Sequence, residues 1–121
     1  MKQIKRGLLR LAGIVLPMLL LSGCFVYVDH DYVGPATLVM VNDESSYGVV
    51  WYAYAVPSAS SDWGPELLGD EMLYPGDELV MDVGSCDTYY DLRAEYDDGL
   101  VIEKLGVWLP CDTTTVVTFI D

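Results

Sequence analysis

The stretch Cys86-Asp-Thr-Tyr-Tyr-Asp-Leu-Arg-Ala-Glu-Tyr-Asp-Asp-Gly-Leu-Val-Ile-Glu-Lys-Leu-Gly-Val-Trp-Leu-Pro-Cys111 decides the fold. Asp98-Gly99 near its centre is a strong signal for a two-residue hairpin turn, since Asp and Gly tolerate the positive φ that such a turn demands. A turn there sets Asp97 against Leu100, so facing positions add to 197, and Cys86 and Cys111 satisfy the same sum. Cross-strand neighbours stand about 4.5–5.5 Å apart between Cα atoms, within reach of a disulfide. The spacing therefore predicts one hairpin, stapled at the end remote from its turn.

Side-chain alternation agrees with that register on the first strand. Cys86, Thr88, Tyr90, Leu92, Ala94 and Tyr96 share one face, and Asp87, Tyr89, Asp91, Arg93, Glu95 and Asp97 share the other. On the second strand the register puts Val101, Leu105, Val107 and Leu109 on the apolar face together with Glu103, and it sets Lys104 against Arg93. Both faults would be cured by a bulge, expected near Glu103.

Outward from the hairpin, apolar segments recur between turn signals. Thr37–Val41, Val49–Val56, Asp77–Val83 and Thr113–Ile120 read as strands, the second apolar on both faces and the last rich in β-branched residues. Pro57–Gly76 is too irregular for a strand. Pro65 could open one turn of helix with Leu67 and Leu68 turned inward, and Trp63 reads as an anchor. Strands at such spacing predict an all-β fold, a small antiparallel β-sandwich or partly open barrel of six to seven strands with one short helical turn, preceded by an N-terminal signal helix.

Charge divides the chain in two. The whole carries 6 Lys and Arg against 19 Asp and Glu, a formal net charge of -13, yet Lys2, Lys5, Arg6 and Arg10 crowd the start and only Arg93 and Lys104 are basic after Cys24. Nucleic acid is excluded as a partner of so acidic a body, and a hydrophobic content of 52% excludes a disordered acidic tail. The basic start is followed by an uncharged run from Leu11 to Leu21, the length of an export signal's apolar core and short for a membrane span. Leu21-Ser22-Gly23-Cys24 then resembles the lipobox of bacterial lipoproteins. That resemblance implies cleavage before Cys24 and acylation of its sulfur, palmitate being a usual chain. It divides the sequence into a signal peptide (1–23), an anchor and tether (24–36) and a β domain (37–121). Phe25, where inner-membrane lipoproteins carry Asp, implies the outer membrane in a host with two membranes. Two or three acyl chains hold firmly where one does not.

Export would place Cys86 and Cys111 in an oxidising compartment, where a pair left after one cysteine is lipidated forms a bridge. The series Trp63-Gly-Pro-Glu-Leu-Leu-Gly69, Tyr74-Pro-Gly76, Cys86, Tyr90-Asp-Leu-Arg93, Asp98-Gly99 and Cys111 resembles a small family of exported bacterial domains. This second resemblance implies a compact β domain with one bridge and supplies no catalytic residue.

Residues for catalysis are sparse. His30 is the single histidine, the serines at 45–46 and 58–61 lie in loops without a Gly-x-Ser-x-Gly elbow, and neither a zinc-ligand pattern nor a glycine-rich phosphate loop occurs. No enzyme activity, cofactor or metal is expected. Calcium, which takes six to eight oxygens, has only loose candidates in Asp29 with Asp31, Asp43 with Glu44, Asp97 with Asp98, and Asp112. The aromatics offer more. Trp63, Trp108 and Tyr89, the last two facing each other in the hairpin register, could present flat rings to a ligand. The sequence thus points to a non-enzymatic, membrane-anchored envelope lipoprotein that binds or spaces an unidentified protein or glycan, with a carbohydrate- or calcium-binding β domain as the alternative.

Overall fold

A computed structural model describes residues 2–5 and 34–121. Seven strands are formed: β1 (Lys2–Lys5), β2 (Ala36–Asn42), β3 (Val50–Pro57), β4 (Glu78–Val83), β5 (Thr88–Tyr96), β6 (Val101–Leu109) and β7 (Thr114–Phe119). They make two sheets, one of order β1-β4-β2-β7 and one of order β3-β5-β6, packed face to face as an open sandwich. β2 to β7 stand within a residue or two of the strands expected from alternation. β1 falls in the basic start of the chain and was not expected as a strand. The expected signal helix otherwise lies outside the described residues.

The core is the interface between the sheets. Leu38, Met40, Leu79 and Phe119 from one sheet meet Ala53, Tyr90, Leu92, Ala94, Tyr96 and Leu109 from the other, all at most 4% exposed. Burying a side chain of this size contributes about 1.5–3 kcal/mol, so the alternation of β5 is energetically decisive. One open side of the sandwich is filled by the 57–76 loop, which inserts Leu68 and Leu73 into the core. Between β6 and β7, Lys104 Nζ stands 5.5 Å from the Phe119 ring centroid.

Three expectations are corrected. The pairing is not antiparallel throughout, because β2 and β7 run parallel. The chain leaves β6 at the corner where β2 begins, with Thr37 N donating to the Thr113 carbonyl at 2.9 Å and Asp112 N to the Gly34 carbonyl at 3.0 Å, so β7 starts beside the start of β2. The helical turn near Pro65 does not form, and the described residues contain no helix. Gly64 and Gly69 take positive φ at 65° and 62°, and Leu67 N donates outward to the Ala53 carbonyl at 2.9 Å instead of within a turn.

The third correction concerns the hairpin. Tyr96, not Asp97, faces Leu100, with Tyr96 N donating to the Leu100 carbonyl at 2.8 Å, so Asp97, Asp98 and Gly99 form a three-residue loop. Gly99 carries the positive φ (93°) that such a loop requires. Next to this loop facing positions add to 196, as in Ala94 with Ile102. Past Tyr90 with Val107 they add to 197. The change is absorbed where Asp91 faces both Leu105 and Gly106. Gly106 takes φ 69°, and its N–H donates to Asp91 Oδ1 at 3.0 Å. The bulge therefore sits at Leu105–Gly106, near Glu103 as expected. Arg93 faces Glu103 in place of Lys104, and Ile102 and Lys104 turn inward while Val101 and Leu105 are exposed.

The disulfide joins Cys86 to Cys111, with Cα atoms 4.8 Å apart, in the register that begins at Thr88 and Leu109. Asp87 N donates to the Leu109 carbonyl at 2.7 Å and Asp87 Oδ1 accepts from Cys111 N at 3.1 Å, so the strands remain bonded up to the bridge. For a closed loop of 25 residues the chain-entropy account gives about 3.5 kcal/mol. Reduction, or paired Cys86→Ala and Cys111→Ala, is expected to lower unfolding free energy by about 3 kcal/mol, measured by urea titration with and without reductant.

Asn42 is fully buried at the end of β2. Its Nδ2 donates to the Gly48 carbonyl at 3.0 Å and the Leu73 carbonyl at 2.9 Å, and its Oδ1 accepts from the Tyr96 hydroxyl at 3.1 Å. One carboxamide thus ties β2 to the loop before β3, to the 57–76 loop and to β5. Burial holds the Tyr96 phenol above its ordinary range. The unfolded chain then releases this proton first, and stability falls as pH rises past about 10. Asn42→Ala should cost about 3 kcal/mol or more, since it leaves buried groups unbonded. Tyr96→Phe should cost about 1 kcal/mol at neutral pH and remove part of the alkaline loss, both read from urea midpoints across pH.

Candidate functional site

The outer face of the three-stranded sheet gathers the aromatic residues singled out in the sequence. Register fixes its rows: Tyr52 with Glu95 and Val101, Tyr54 with Arg93 and Glu103, Val56 with Asp91, and Tyr89 with Trp108. Strand alternation puts these side chains on one side because Tyr90, Leu92, Ala94 and Tyr96 are held in the core.

Tyr89 and Trp108 form the expected pair. Their ring centroids stand 4.9 Å apart at an interplanar angle of 64°, edge to face, and the residues are 53% and 46% exposed. Edge-to-face contact uses the ring quadrupoles, and both residues stay about half exposed. Half-exposed rings held in one geometry are suited to stacking on a flat apolar surface of a ligand.

Trp63 lies further along the same face. It packs on Tyr54 at 6.2 Å between centroids and receives the Arg93 guanidinium at 5.6 Å from its ring. Arg93 is fixed by Glu95 Oε2 on its Nε and by Glu103 Oε2 on its Nη1, both at 2.8 Å. Along β5, Arg93 and Tyr89 are separated by Asp91, about 13 Å of strand, so Trp63 and the Tyr89–Trp108 pair are two stations on one face, not one cluster. Burial, followed by the charge of Glu95, raises the Tyr54 phenol above its ordinary range. This row accordingly remains neutral at its phenol through the physiological range.

Two residues that position this face were not legible in the sequence. Glu66 Oε2 accepts from Ala53 N at 3.0 Å and Leu68 N at 2.7 Å, and its Oε1 accepts from Gly69 N at 2.9 Å. One carboxylate so clamps the loop that carries Trp63 against the edge of β3. Asp91 Oδ1 accepts from Ser58 Oγ at 2.6 Å and from Gly106 N, holding the far end of that loop and the bulge together. Neither acid belongs to a motif, and only the fold brings Ala53 N to Glu66 and Ser58 and Gly106 to Asp91.

Of the acids weighed for calcium, Asp43, Asp97 and Asp98 serve as turn ligands. Asp43 accepts from the backbone and hydroxyl of Ser45, which lowers its pKa. Asp98 accepts from Leu100 N at 3.0 Å, and Asp97 from Val49 N at 3.3 Å. Among the described residues no three His, Cys, Asp or Glu side chains converge on a common point. Asp29 and Asp31, with Cys24 and His30, lie outside the described residues. No helix of the described residues is long and apolar enough to cross a membrane.

No family model, curated protein or solved structure matches the chain. Its chemistry is therefore read from these side chains alone. They comprise exposed rings, one anchored cation and carboxylates of which Glu66, Asp91, Asp97 and Asp98 are engaged with donors.

Arg93→Met keeps the packing stem but removes the charge over Trp63. Its ion pairs are partly exposed, so the expected loss is about 1 kcal/mol. Acrylamide quenching of tryptophan emission should rise as the Trp63 ring loosens, with the circular dichroism unchanged.

Proposed function

We propose that the chain is an exported lipoprotein, held to the cell envelope by acyl chains on Cys24, whose β domain acts without catalysis as a binding or structural module. The observation that carries this reading is the combination of Leu21-Ser22-Gly23-Cys24, behind a basic start and an uncharged apolar run, with a Cys86–Cys111 bridge in the body. A disulfide persists outside the reducing cytosol, which is also where a lipobox cysteine is processed. The body's acidity fits an anchored domain, because anionic headgroups repel it and leave its surface free for other contacts. Phe25 after the cysteine favours the outer membrane in a host with two membranes.

The Tyr89–Trp108 pair favours a glycan ligand over calcium within the alternative of a binding domain. Sugar rings present apolar faces to exposed aromatics, whereas Asp43, Asp97 and Asp98 are already engaged in turns.

Metabolic labelling tests the anchor. The natural chain should incorporate palmitate and lose Met1–Gly23 by mass spectrometry, and Cys24→Ala should incorporate none and keep its leader. Equal labelling of both chains would remove the lipoprotein reading.

A further inference from the structure

β1 is the only described part of the leader, and it is seated on the body. Lys2–Lys5 pairs antiparallel with β4 in the register Lys2 with Met81, Gln3 with Val80, Ile4 with Leu79 and Lys5 with Glu78. It is the edge strand of the four-stranded sheet, beyond β4. Ile4 packs against the core cluster, and Lys2 Nζ donates to the Leu67 carbonyl of the 57–76 loop. Depressions flank the strand, one lined by Leu68 and Glu71 and the other by Val80 and Asp82.

Cleavage before Cys24 would remove this strand and leave the backbone N–H and C=O groups along one side of β4 unpaired. An open edge with an apolar notch and acids beside it is a template for another strand. The occupant seen there defines the chemistry that fits: an extended segment with an aliphatic residue for the notch beside Leu79 and lysines on either side of it. The body strengthens that preference, since only Arg93 and Lys104 oppose its 19 acids. A second copy fits poorly. Two β4 edges paired antiparallel about Val80 would set Glu78 against Asp82, a like-charge facing pair that destabilises.

We propose that the β4 edge of the processed protein is a strand-acceptor site for a short basic, extended segment of a partner protein, and that the leader occupies this site in the precursor. The proposal rests on the processing inferred above. Backbone pairing supplies affinity, the notch selects the aliphatic residue, and the acidic surround selects lysine or arginine.

The test uses the processed lipoprotein extracted from membranes in neutral detergent, the unprocessed Cys24→Ala chain, and a labelled synthetic peptide of residues 1–8. The processed protein should bind the peptide saturably, with amide shifts concentrated in Glu78–Val83. Ile4→Asp in the peptide, or use of the Cys24→Ala chain, should weaken binding at least about tenfold. A processed protein that ignores the peptide, or binds the Ile4→Asp peptide equally, overturns the acceptor site and leaves the lipoprotein reading intact. Sedimentation as a dimer that the peptide does not dissociate also overturns it, by giving the edge to a second copy. A leader still attached to the membrane-extracted protein overturns both.

Discussion

The buried carboxamide of Asn42 is the constraint on which the two sheets depend. A sandwich of short strands can slide along its apolar interface at little cost, because hydrophobic contact is not directional. Hydrogen bonds in a dry interior are directional, and leaving one unmade is expensive. Asn42 reaches the Tyr96 hydroxyl across the interface and two loop carbonyls on either side of it, so one relative placement of β2 and β5 satisfies every group. Backbone bonds finish the corner: Asn42 N donates to the Asp77 carbonyl at 3.1 Å, and Gly76 N to the Asn42 carbonyl at 2.7 Å. Gly48 stands where a Cβ would meet the buried Tyr96 ring at 3.0 Å, so this loop approaches β5 closely.

Much of the fold could be read from periodicity. β5 declares its core face because Tyr90, Leu92, Ala94 and Tyr96 alternate without a break, and the cysteine pair falls in the hairpin's own register. What alternation hides is where a strand gains a residue. Lys104 facing Arg93 and Glu103 facing inward signalled a fault, and it is removed at the turn, whose third residue sets Glu103 against Arg93, while the bulge at Gly106, where a positive φ is cheap, restores the register of the cysteines. The turn misled for a related reason. Asp-Gly suits both a two-residue and a three-residue loop, and the choice depends on which register the far end of the hairpin requires.

The candidate face was partly visible. Tyr89 and Trp108 were placed together by register alone, whereas the partner of Trp63 depended on how an irregular loop returns to the sheet. That return is governed by Glu66 and Asp91, acids indistinguishable in sequence from the others of the body. Their decisive donors leave no spacing signature, because Ala53 N on Glu66 and Ser58 Oγ and Gly106 N on Asp91 come from segments distant along the chain. The same abundance that makes the domain acidic thus conceals the few acids that shape it.

The parallel pairing of β2 and β7 carries a mechanical consequence. A chain anchored at Cys24 transmits any pull on the domain through Gly34 into the first residue of β2. That strand lies inside its sheet, between β4 and β7, with hydrogen bonds on both flanks. A pull along its axis loads those bonds together, in shear, instead of parting them one after another as in peeling an edge strand. The entry corner is also where Asp112 N grips the Gly34 and Pro35 carbonyls, one residue past the disulfide. The point where a tether would tug is accordingly fastened on both flanks.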